Sequence, residues 1–565
     1  MTTTQNTFDW KRTLQFGLIG GLVGVLIAMV GMVEEFDKRD IIAGTLTMGW
    51  TLLFLTALVT GYFAAGTAKE NRLFSIVSGV AASAIFAAVM SLLAWLVESF
   101  DMRQVLVNAS PSLVKILTFE QGVPNGLLML VGAGAAVGLL GSVIYILPDR
   151  IRKAVSIALG MVALIGLLQE IIQVSLASFE GASKALIWMF GKGTEKGLSV
   201  AGAIVVFVVV AGSNLLWDTN APKVNAQFNK LPQNRRRSLR WLGYGILFLV
   251  IIYLPAVLGL YLTEVVNSTG LFILMGLGLN IVVGFAGLLD LGYVAFYAIG
   301  AYTVGVLTNF SGELTAHFGW NFWFALPVAV SLAVLAGVVL GIPVLNMRGD
   351  YLAIVTLGFG EIIRILALSD FLKPSIGGSQ GIVNIPPPQF LGVLINNPQT
   401  LYYVIVAGAI LALFISQRLR DSRLGRSWKA LREDEDVAQA MGINLVATKL
   451  LAFATGAAFS GLSGSILAIK LGTIYPHSFA LLISINVLAL IIVGGMGSIP
   501  GVFVGGLLLA GMPELLREFA EYRLLIYGAL LVVMMQVRPE GFWPEATHKR
   551  ELRGVEAPAA EAQEA

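Results

Sequence analysis

The 565-residue sequence contains no cysteine, and only 13% of its residues are charged. The lack of cysteine excludes disulfides, thiolate catalysis and cysteine-ligated metal sites. The three histidines, His317, His477 and His548, lie far apart in the sequence, so we interpret them as separate loop residues and expect no metal site. A soluble domain carries about a quarter charged residues. The low charge therefore predicts that most of this chain faces lipid or other helices.

Hydrophobic residues make up 57% of the sequence and occur in runs that are nearly free of charge. Each run is about 20 residues long, the length at which an α-helix crosses roughly 30 Å of hydrocarbon. The strict alternation of a membrane β-barrel is missing, and 63 glycines suit closely packed membrane helices. The sequence predicts an all-α, polytopic membrane protein.

Residues 1–217 contain six candidate membrane spans, predicted from length and charge. They cover about 14–33, 41–66, 73–97, 125–147, 152–176 and 198–217. The segments before the first span and after the second and fourth are basic, which places them and the N-terminus in the cytoplasm. The first run is too long for a signal-peptide core, so we expect an uncleaved helix. The role of this extension stays open between a scaffold, a lipid-facing collar and a module that contacts a partner.

A polar linker, residues 218–240, follows and ends in a basic cluster made of Arg235, Arg236, Arg237 and Arg240. We predict a domain boundary here, and the cluster either holds the linker in the cytoplasm or binds a partner. About ten more spans follow, at 241–262, 269–288, 291–309, 322–345, 351–369, 401–417, 448–470, 481–496, 500–516 and 522–537. The last of them are short and separated by glycine and proline, so some could be broken or re-entrant. The tail 546–565 is predicted to be disordered and cytoplasmic.

One loop of the second part, residues 417–449, is far more charged than its surroundings, and we name it the charged loop. Its arginines place it in the cytoplasm. A stretch without glycine or proline predicts a helix from Ser427 to Met441, ended by Gly442 and Asn444. Part of its apolar set would share one helix face: Trp428, Leu431, Val437, Ala438 and Met441. The charged loop is either a solvated segment or a docking helix for a cytoplasmic partner.

The sequence has no phosphate-binding loop of the G-x-x-x-x-G-K-[ST] type, so we expect no enzyme, and another chain would have to hydrolyse any ATP. Ionisable residues inside membrane spans are costly and therefore candidates for function. Glu361 and Arg364 lie three residues apart, and we interpret them first as an intrahelical ion pair, with a pathway role as the alternative. Asp290 is predicted to cap a helix break, with cation binding as the alternative. Three other charges are Glu170, which has no evident partner in sequence, and the interfacial pair Glu514 and Arg517.

Glycine is concentrated in two segments, GLGLNIVVGFAGLLDLG around Asn280 and IVGGMGSIPG with Gly494 and Gly495. Glycines at such density permit close backbone approach or helix breaks. Broken helices expose backbone N–H and carbonyl groups that can bind a zwitterionic solute without a buried charge. We therefore assign Asn280, Gly494 and Gly495, with the charged residues of the spans, to a translocation pathway or to helix breaks. Ordinary helix packing is the alternative for any single glycine.

Six segments of the second part resemble, in order and spacing, the permease subunits of branched-chain amino acid ABC importers of the high-affinity leucine, isoleucine and valine type. Among them are GLNIVVGFAGLLDLGYVAFYAIGAYTVGVL and RLGRSWKALREDEDVAQAMGINLVATKLL. The six lie at 278–307, 347–365, 376–382, 423–468, 475–501 and 526–543. The similarity covers about 241–545, and the extension 1–217 departs from the family pattern.

The resemblance implies a type II importer-like permease of about ten helices in the bacterial inner membrane. It would pair with a homologous second permease, two ATP-binding subunits that hold ATP and magnesium, and a soluble periplasmic or lipid-anchored substrate-binding protein. This chain would itself bind no cofactor. Permeases for urea and short amides are similar, so they remain an alternative for the substrate. A second alternative is an ion-coupled transporter that uses the acidic residues of the spans.

The same resemblance implies roles for particular residues. The charged loop would dock into the ATP-binding subunit, with a coupling helix formed or framed by Arg426, Lys429, Arg432, Glu433, Ala438, Met441 and Gly442. The loop 370–400, which we name the outer loop, would face the binding protein, with contacts at Gly377, Gly378 and Ser379.

Overall fold

The protein is described from a computed structural model. It describes residues 9–68, 71–100, 103, 106–176, 188–190, 197–230, 233–309, 318–345, 347, 349–515 and 522–544. The predictions for His317, His548, Arg517 and the 546–565 tail lie outside these residues, as do the side chains of Arg236, Arg237, Arg240 and Glu514.

The all-α prediction is confirmed. Within the described ranges, eleven helices are long and apolar enough to cross a membrane, and strands are confined to two short hairpins. The chain divides into two compact units, Met1–Leu249 and Val250–Ala565. The division falls just after the predicted linker, and the helices that begin at Val200 and Gln233 make most of that linker helical.

The first unit consists of helices and one hairpin. Its helices are Trp10–Met29, Met32–Asp37, Met48–Ala65, Arg72–Ser99, Pro111–Leu117, Val123–Ile146, Asp149–Leu167, Gln169–Leu176 and Val200–Lys230, with a 3-10 turn at Gly66–Ala68. Strands Asp40–Ile42 and Leu46–Thr47 pair antiparallel.

The predicted span at 41–66 began too early. Residues 40–47 form the hairpin, and the helix starts at Met48 because the Thr47 hydroxyl accepts a hydrogen bond from the Trp50 N–H, 3.2 Å away. Similarly, the predicted span at 152–176 is two helices that meet at Leu168.

Small residues hold the first unit together. The Arg72–Ser99 helix packs against the helices Trp10–Met29, Met48–Ala65 and Val123–Ile146. A Cβ at Gly79 would lie 2.7 Å from the Gly61 carbonyl oxygen, so glycine permits this close crossing. The close approach agrees with the small-residue packing expected of membrane helices.

Each of the ten predicted spans overlaps a helix, but the first two, 241–262 and 269–288, fall on one segment, Gln233–Leu279, which crosses the division between the units. The helices of the second unit are the later part of Gln233–Leu279, then Val294–Thr308, Phe322–Val344, Asp350–Leu368, Lys373–Ile376, Pro398–Asp421, Arg423–Glu433, Glu435–Ala440, Leu445–Leu471, Leu481–Gly494, Ile499–Gly506, Met512–Leu515 and Arg523–Val537. Asn280–Phe285 and Leu507–Gly511 are π-helices, and Gly378–Gln380 and Pro476–Phe479 are 3-10 turns. Strands Gln389–Phe390 and Val393–Leu394 form a hairpin.

The predicted break between the spans 241–262 and 269–288 is displaced. The helix continues through 263–268 and is interrupted at Gly259, whose φ of 72° is outside the helical region. Polar residues that suggested a loop find partners across the unit instead. Glu264 pairs with Lys470 at 2.9 Å, and the Asn267 amide donates to the Pro398 carbonyl at 2.8 Å.

The Leu445–Leu471 helix lies at the centre of the second unit, against the helices Val294–Thr308 and Phe322–Val344. Its buried serines donate to backbone carbonyls of neighbouring helices, which satisfies polar groups inside an apolar bundle. The donors are Ser460 to Tyr293 at 3.2 Å and Ser463 to Leu271 at 2.9 Å.

Candidate functional site

The charged loop folds as two short helices, Arg423–Glu433 and Glu435–Ala440. Between them Asp434 is extended, and its carboxylate accepts hydrogen bonds from the N–H groups of Asp436 and Val437, both at 2.9 Å. The predicted continuous helix 427–441 is therefore wrong. The Asp434 side chain binds the first N–H groups of the second helix and so starts a new helix there. Helix-forming composition does not reveal that an aspartate side chain replaces the backbone hydrogen bonds of a continuous helix.

The apolar residues of the charged loop do not all share one face. Trp428, Leu431 and Ala438 are buried, and the Trp428 indole donates to the Thr448 carbonyl at 2.9 Å. Val437 and Met441 are 57% and 79% exposed. The first three anchor the loop to its own unit, and the last two present apolar surface on an otherwise charged segment.

Lys449 connects the charged loop to a helix end, a role that sequence reasoning missed. Its ammonium lies 2.5 Å from the Glu435 carboxylate and donates to the Leu345 carbonyl at 2.8 Å. Leu345 follows the last residue of the Phe322–Val344 helix, where a cation is favoured by the free carbonyls and the helix dipole. The available signal was one lysine at the start of an apolar run.

An open cavity of about 610 Å³ lies beside this ion pair. Its lining combines Leu345 and Glu435 with the end of the charged loop: Gln439, Gly442, Ile443, Asn444, Leu445 and Val446. Gly442 has a φ of 86°, a conformation that favours glycine. The lining is partly apolar, and the exposed Met441 immediately precedes Gly442 in the chain.

The remaining predicted coupling residues differ in exposure. Arg426 is exposed, and its guanidinium donates to the Asp421 carbonyl at 3.2 Å. Glu433 is exposed, and Lys429 is half-buried.

Arg432 turns inward instead. Its guanidinium donates to the Gly284 carbonyl at 2.6 Å, at the end of the π-helix Asn280–Phe285. Its stem covers Gly287, where a Cβ would lie 2.9 Å from the Arg432 Cγ. The charged loop thus contacts the glycine-rich segment that we assigned to helix breaks.

Asn280 is buried and connects this π-helix to the turn 495–498. Its side-chain oxygen accepts a hydrogen bond from the Gly497 N–H at 2.8 Å. The turn joins the Leu481–Gly494 and Ile499–Gly506 helices, which run closely together: a Cβ at Gly494 would lie 2.1 Å from the Gly501 carbonyl oxygen. The structure therefore brings Asn280, Arg432 and the Gly494 and Gly495 pair into one region.

A segment near the C-terminus contacts the same turn. The Phe542 and Trp543 N–H groups donate to the carbonyls of Val493 and Gly494, at 2.8 and 2.9 Å. Gly495 has a φ of 119°, and a Cβ there would lie 2.8 Å from the Trp543 carbonyl oxygen. The segment supplies N–H donors to the end of the Leu481–Gly494 helix.

Asp290 is fully buried in the non-helical stretch between the π-helix and Val294. One carboxylate oxygen accepts from the Gly292 N–H at 2.9 Å, and the other has no hydrogen-bond partner among the described residues. Neighbouring N–H groups bind side-chain hydroxyls: that of Leu291 donates to Thr356 and that of Val294 to Ser484. Asp290 therefore lies at a helix break.

Glu361 and Arg364 form the intrahelical pair expected from their spacing. The Arg364 Nε lies 2.9 Å from the Glu361 carboxylate, and the side chains of Arg364 and Glu361 are 26% and 40% exposed. In the first unit, Glu170 has a partner that sequence spacing could not reveal, because Arg39 lies 3.9 Å from it.

The outer loop is ordered by contacts to the 472–475 segment. Ile382 and Ile474 exchange two backbone hydrogen bonds, at 2.9 and 2.8 Å. Gly377 and Gly378 have φ values of 82° and 59° in the preceding turn, and Ser379 is exposed.

Comparison with known proteins bears on the second unit. The family described as "Branched-chain amino acid transport system / permease component" matches residues 261–535. No solved structure matches the chain.

Three relatives illustrate the similarity. The high-affinity branched-chain amino acid transport system permease protein LivM of Escherichia coli is 42% identical over 313 residues, which cover 51% of this chain and 72% of LivM. LivH of E. coli, a permease protein of the same description, is 27% identical over 50% of this chain and 94% of LivH. BraD of Pseudomonas aeruginosa, also so described, is 29% identical over 50% of this chain and 95% of BraD.

The identity to LivM extends over most of that protein, and the family match coincides with the second unit. The chain is therefore a multi-pass membrane protein and belongs to the family of permease components of the branched-chain amino acid transport system.

Proposed function

We propose that this chain is the membrane-spanning permease subunit of an ATP-driven ABC importer for branched-chain amino acids in a bacterial inner membrane. The observation that carries this proposal is the 42% identity to LivM over 313 residues. The family match at 261–535 includes the charged loop and the glycine-rich segments. The expected partners are a homologous second permease, two ATP-binding subunits and a substrate-binding protein. ATP and magnesium belong to the ATP-binding subunits, and this chain binds neither.

The charged loop is the proposed docking site for an ATP-binding subunit. Its two helices are anchored through Trp428, Lys449 and Arg432, so a force on the loop reaches the helices of the unit. Met441 and Val437 supply exposed apolar side chains on the loop whose end lines the open cavity. Exposed apolar groups rimmed by charge are typical of interaction sites.

The proposed orientation follows from the distribution of charge. The charged loop is rich in arginine and is assigned to the cytoplasm with both termini. The outer loop has one acidic and one basic residue, Asp370 and Lys373, and is assigned to the opposite side, where it would meet the binding protein. Transport would then follow alternating access, driven by closure of the ATP-binding subunits.

Purification of the chain from its native membrane tests the partners. ATP-binding subunits and a second permease should co-purify in fixed proportion. Their reproducible absence, together with uptake that collapses when the ion gradient is removed, would contradict the proposal and favour an ion-coupled transporter.

Competition for uptake tests the substrate. Unlabelled leucine, isoleucine and valine should each suppress uptake of labelled leucine, and urea or acetamide should not. Suppression by urea alone would transfer the assignment to the urea and short-amide class.

A further inference from the structure

Gly284 lies between two contacts of the second unit. At the end of the π-helix, the Ile281 and Val283 carbonyls accept hydrogen bonds from the backbone N–H groups that follow them. The Gly284 carbonyl instead accepts from the Arg432 guanidinium at 2.6 Å. Free carbonyls at a helix end are commonly satisfied by a basic side chain. Arg432 therefore caps the π-helix from the charged loop.

The other side of Gly284 is occupied by Asn280 and Gly497. A Cβ at Gly284 would lie 2.2 Å from the Asn280 side-chain oxygen and 2.7 Å from the Gly497 nitrogen. These are the two atoms of the 2.8 Å hydrogen bond that holds the 495–498 turn. Contact this close is possible only because residue 284 has no side chain.

The segment between these contacts is a π-helix, a geometry that is rare and frequent at functional sites. A π-turn holds one more residue than an α-turn and can change its register locally. Transmission of a movement requires an element with two discrete arrangements, and a change of register would give this π-helix the second one.

We propose that Gly284 is the joint through which Arg432 sets the position of the 495–498 turn. Movement of the charged loop pulls on the Gly284 carbonyl, and the π-helix carries that displacement through Asn280 to Gly497. The ends of the Leu481–Gly494 and Ile499–Gly506 helices then shift with the loop. Arg432, Gly284 and Asn280 are positioning residues in this account, which rests on the docking role proposed above.

The test compares Gly284→Ala with Gly358→Ala in the complete transporter, reconstituted in lipid vesicles with all its subunits. Both glycines lie inside helical segments, but a Cβ at Gly358 has no heavy atom within 4 Å. Alanine favours a helix over glycine by about 1 kcal/mol, so helix propensity alone predicts no harm at either position. Three quantities are measured: ATP-binding subunits that co-purify, ATP hydrolysed, and amino acid transported.

Gly284→Ala should keep assembly and ATP hydrolysis and lower the amount transported per ATP by about tenfold, within the usual range of coupling between sites. Arg432→Ala should also lower the amount transported per ATP, and the double variant should be no worse than the poorer single one, because both act through one contact. Gly358→Ala should match the wild type.

If Gly284→Ala transports as much amino acid per ATP as the wild type, the proposed role of Gly284 is wrong. Loss of co-purifying subunits in Gly284→Ala would also overturn it, since that result assigns the residue to assembly rather than transmission. Absence of ATP-binding subunits from the wild-type preparation is a different result, because it contradicts the proposed function itself.

Discussion

Lys449 and Glu435 form an ion pair in which the ammonium nitrogen lies 2.5 Å from a carboxylate oxygen. The Lys449 side chain is 2% exposed and that of Glu435 is 18% exposed, so the pair is largely shielded from solvent. It joins the start of the Leu445–Leu471 helix to the second helix of the charged loop. The charged loop is thereby part of the folded unit.

Lys449→Met should destabilise the protein by about 3–5 kcal/mol, because it leaves the Glu435 carboxylate largely buried without its cation. Thermal unfolding of the full chain in detergent measures the loss. Lys449→Met combined with Glu435→Gln should recover part of it, since no uncompensated charge then remains. Equal stability of Lys449→Met and the wild type would contradict a structural role for the pair.

Met441→Asp should reduce the amount of ATP-binding subunit that co-purifies with the chain by about tenfold, the effect of losing one well-placed apolar contact. Met441 is 79% exposed, so the substitution should leave the thermal stability of the chain itself unchanged. Leu391→Asp is the matched control, because Leu391 is 90% exposed on the outer loop. Equal loss of ATP-binding subunits in both variants would count against docking at the charged loop.

Gly541→Val should release the C-terminal segment from the 495–498 turn. Gly541 has a φ of 85°, and a Cβ would lie 2.6 Å from the Gly495 nitrogen, so the side chain cannot be accommodated. Strain of this kind costs about 1–3 kcal/mol. Hydrogen exchange at the Phe542 and Trp543 amides should become faster. Gly528→Val, at a site with no atom within 4 Å, should leave their exchange slow.

Glu34 should make the first unit sensitive to acid. Burial raises the pKa of Glu34, but hydrogen bonds from Ser110 and Ser112 and nearby positive charges outweigh it and hold the pKa below the ordinary value of 4.5. A carboxyl whose pKa is lowered by folding stabilises the protein at neutral pH, and the effect is lost as the pH falls through that lowered pKa.

The measurement is the difference in melting temperature between the wild type and Glu34→Gln. The wild type should be more stable at pH 7, and the difference should shrink as the pH is lowered below 4.5. Glu35→Gln, on the exposed side of the same helix, controls for the loss of a charge. A difference that stays constant with pH would show that the Glu34 carboxylate does not act through its charge.

Composition and the lengths of the apolar runs are enough to predict that this is an all-α membrane protein. Backbone N–H and carbonyl groups in lipid must be hydrogen-bonded within the protein, and a helix satisfies them within one segment. The spans can therefore be predicted from short stretches of sequence. Spacing is also enough to predict the ion pair between Glu361 and Arg364, because residues three apart are neighbours on the surface of any helix. The motifs around Asn280 and in the charged loop pointed to the family for the same reason, since they are contiguous in sequence.

Other features depend on which helices become neighbours. Glu264 and Asn267 lie in the gap 263–268 between two predicted spans. Helix packing places Lys470 and Pro398 beside them. The inward turn of Arg432 and the burial of Lys449 likewise require partners more than 100 residues away, at Gly284 and Leu345. No local pattern encodes such distant contacts. The lengths of the apolar runs therefore define the spans, and the three-dimensional packing of distant segments decides how the charged loop is joined to them.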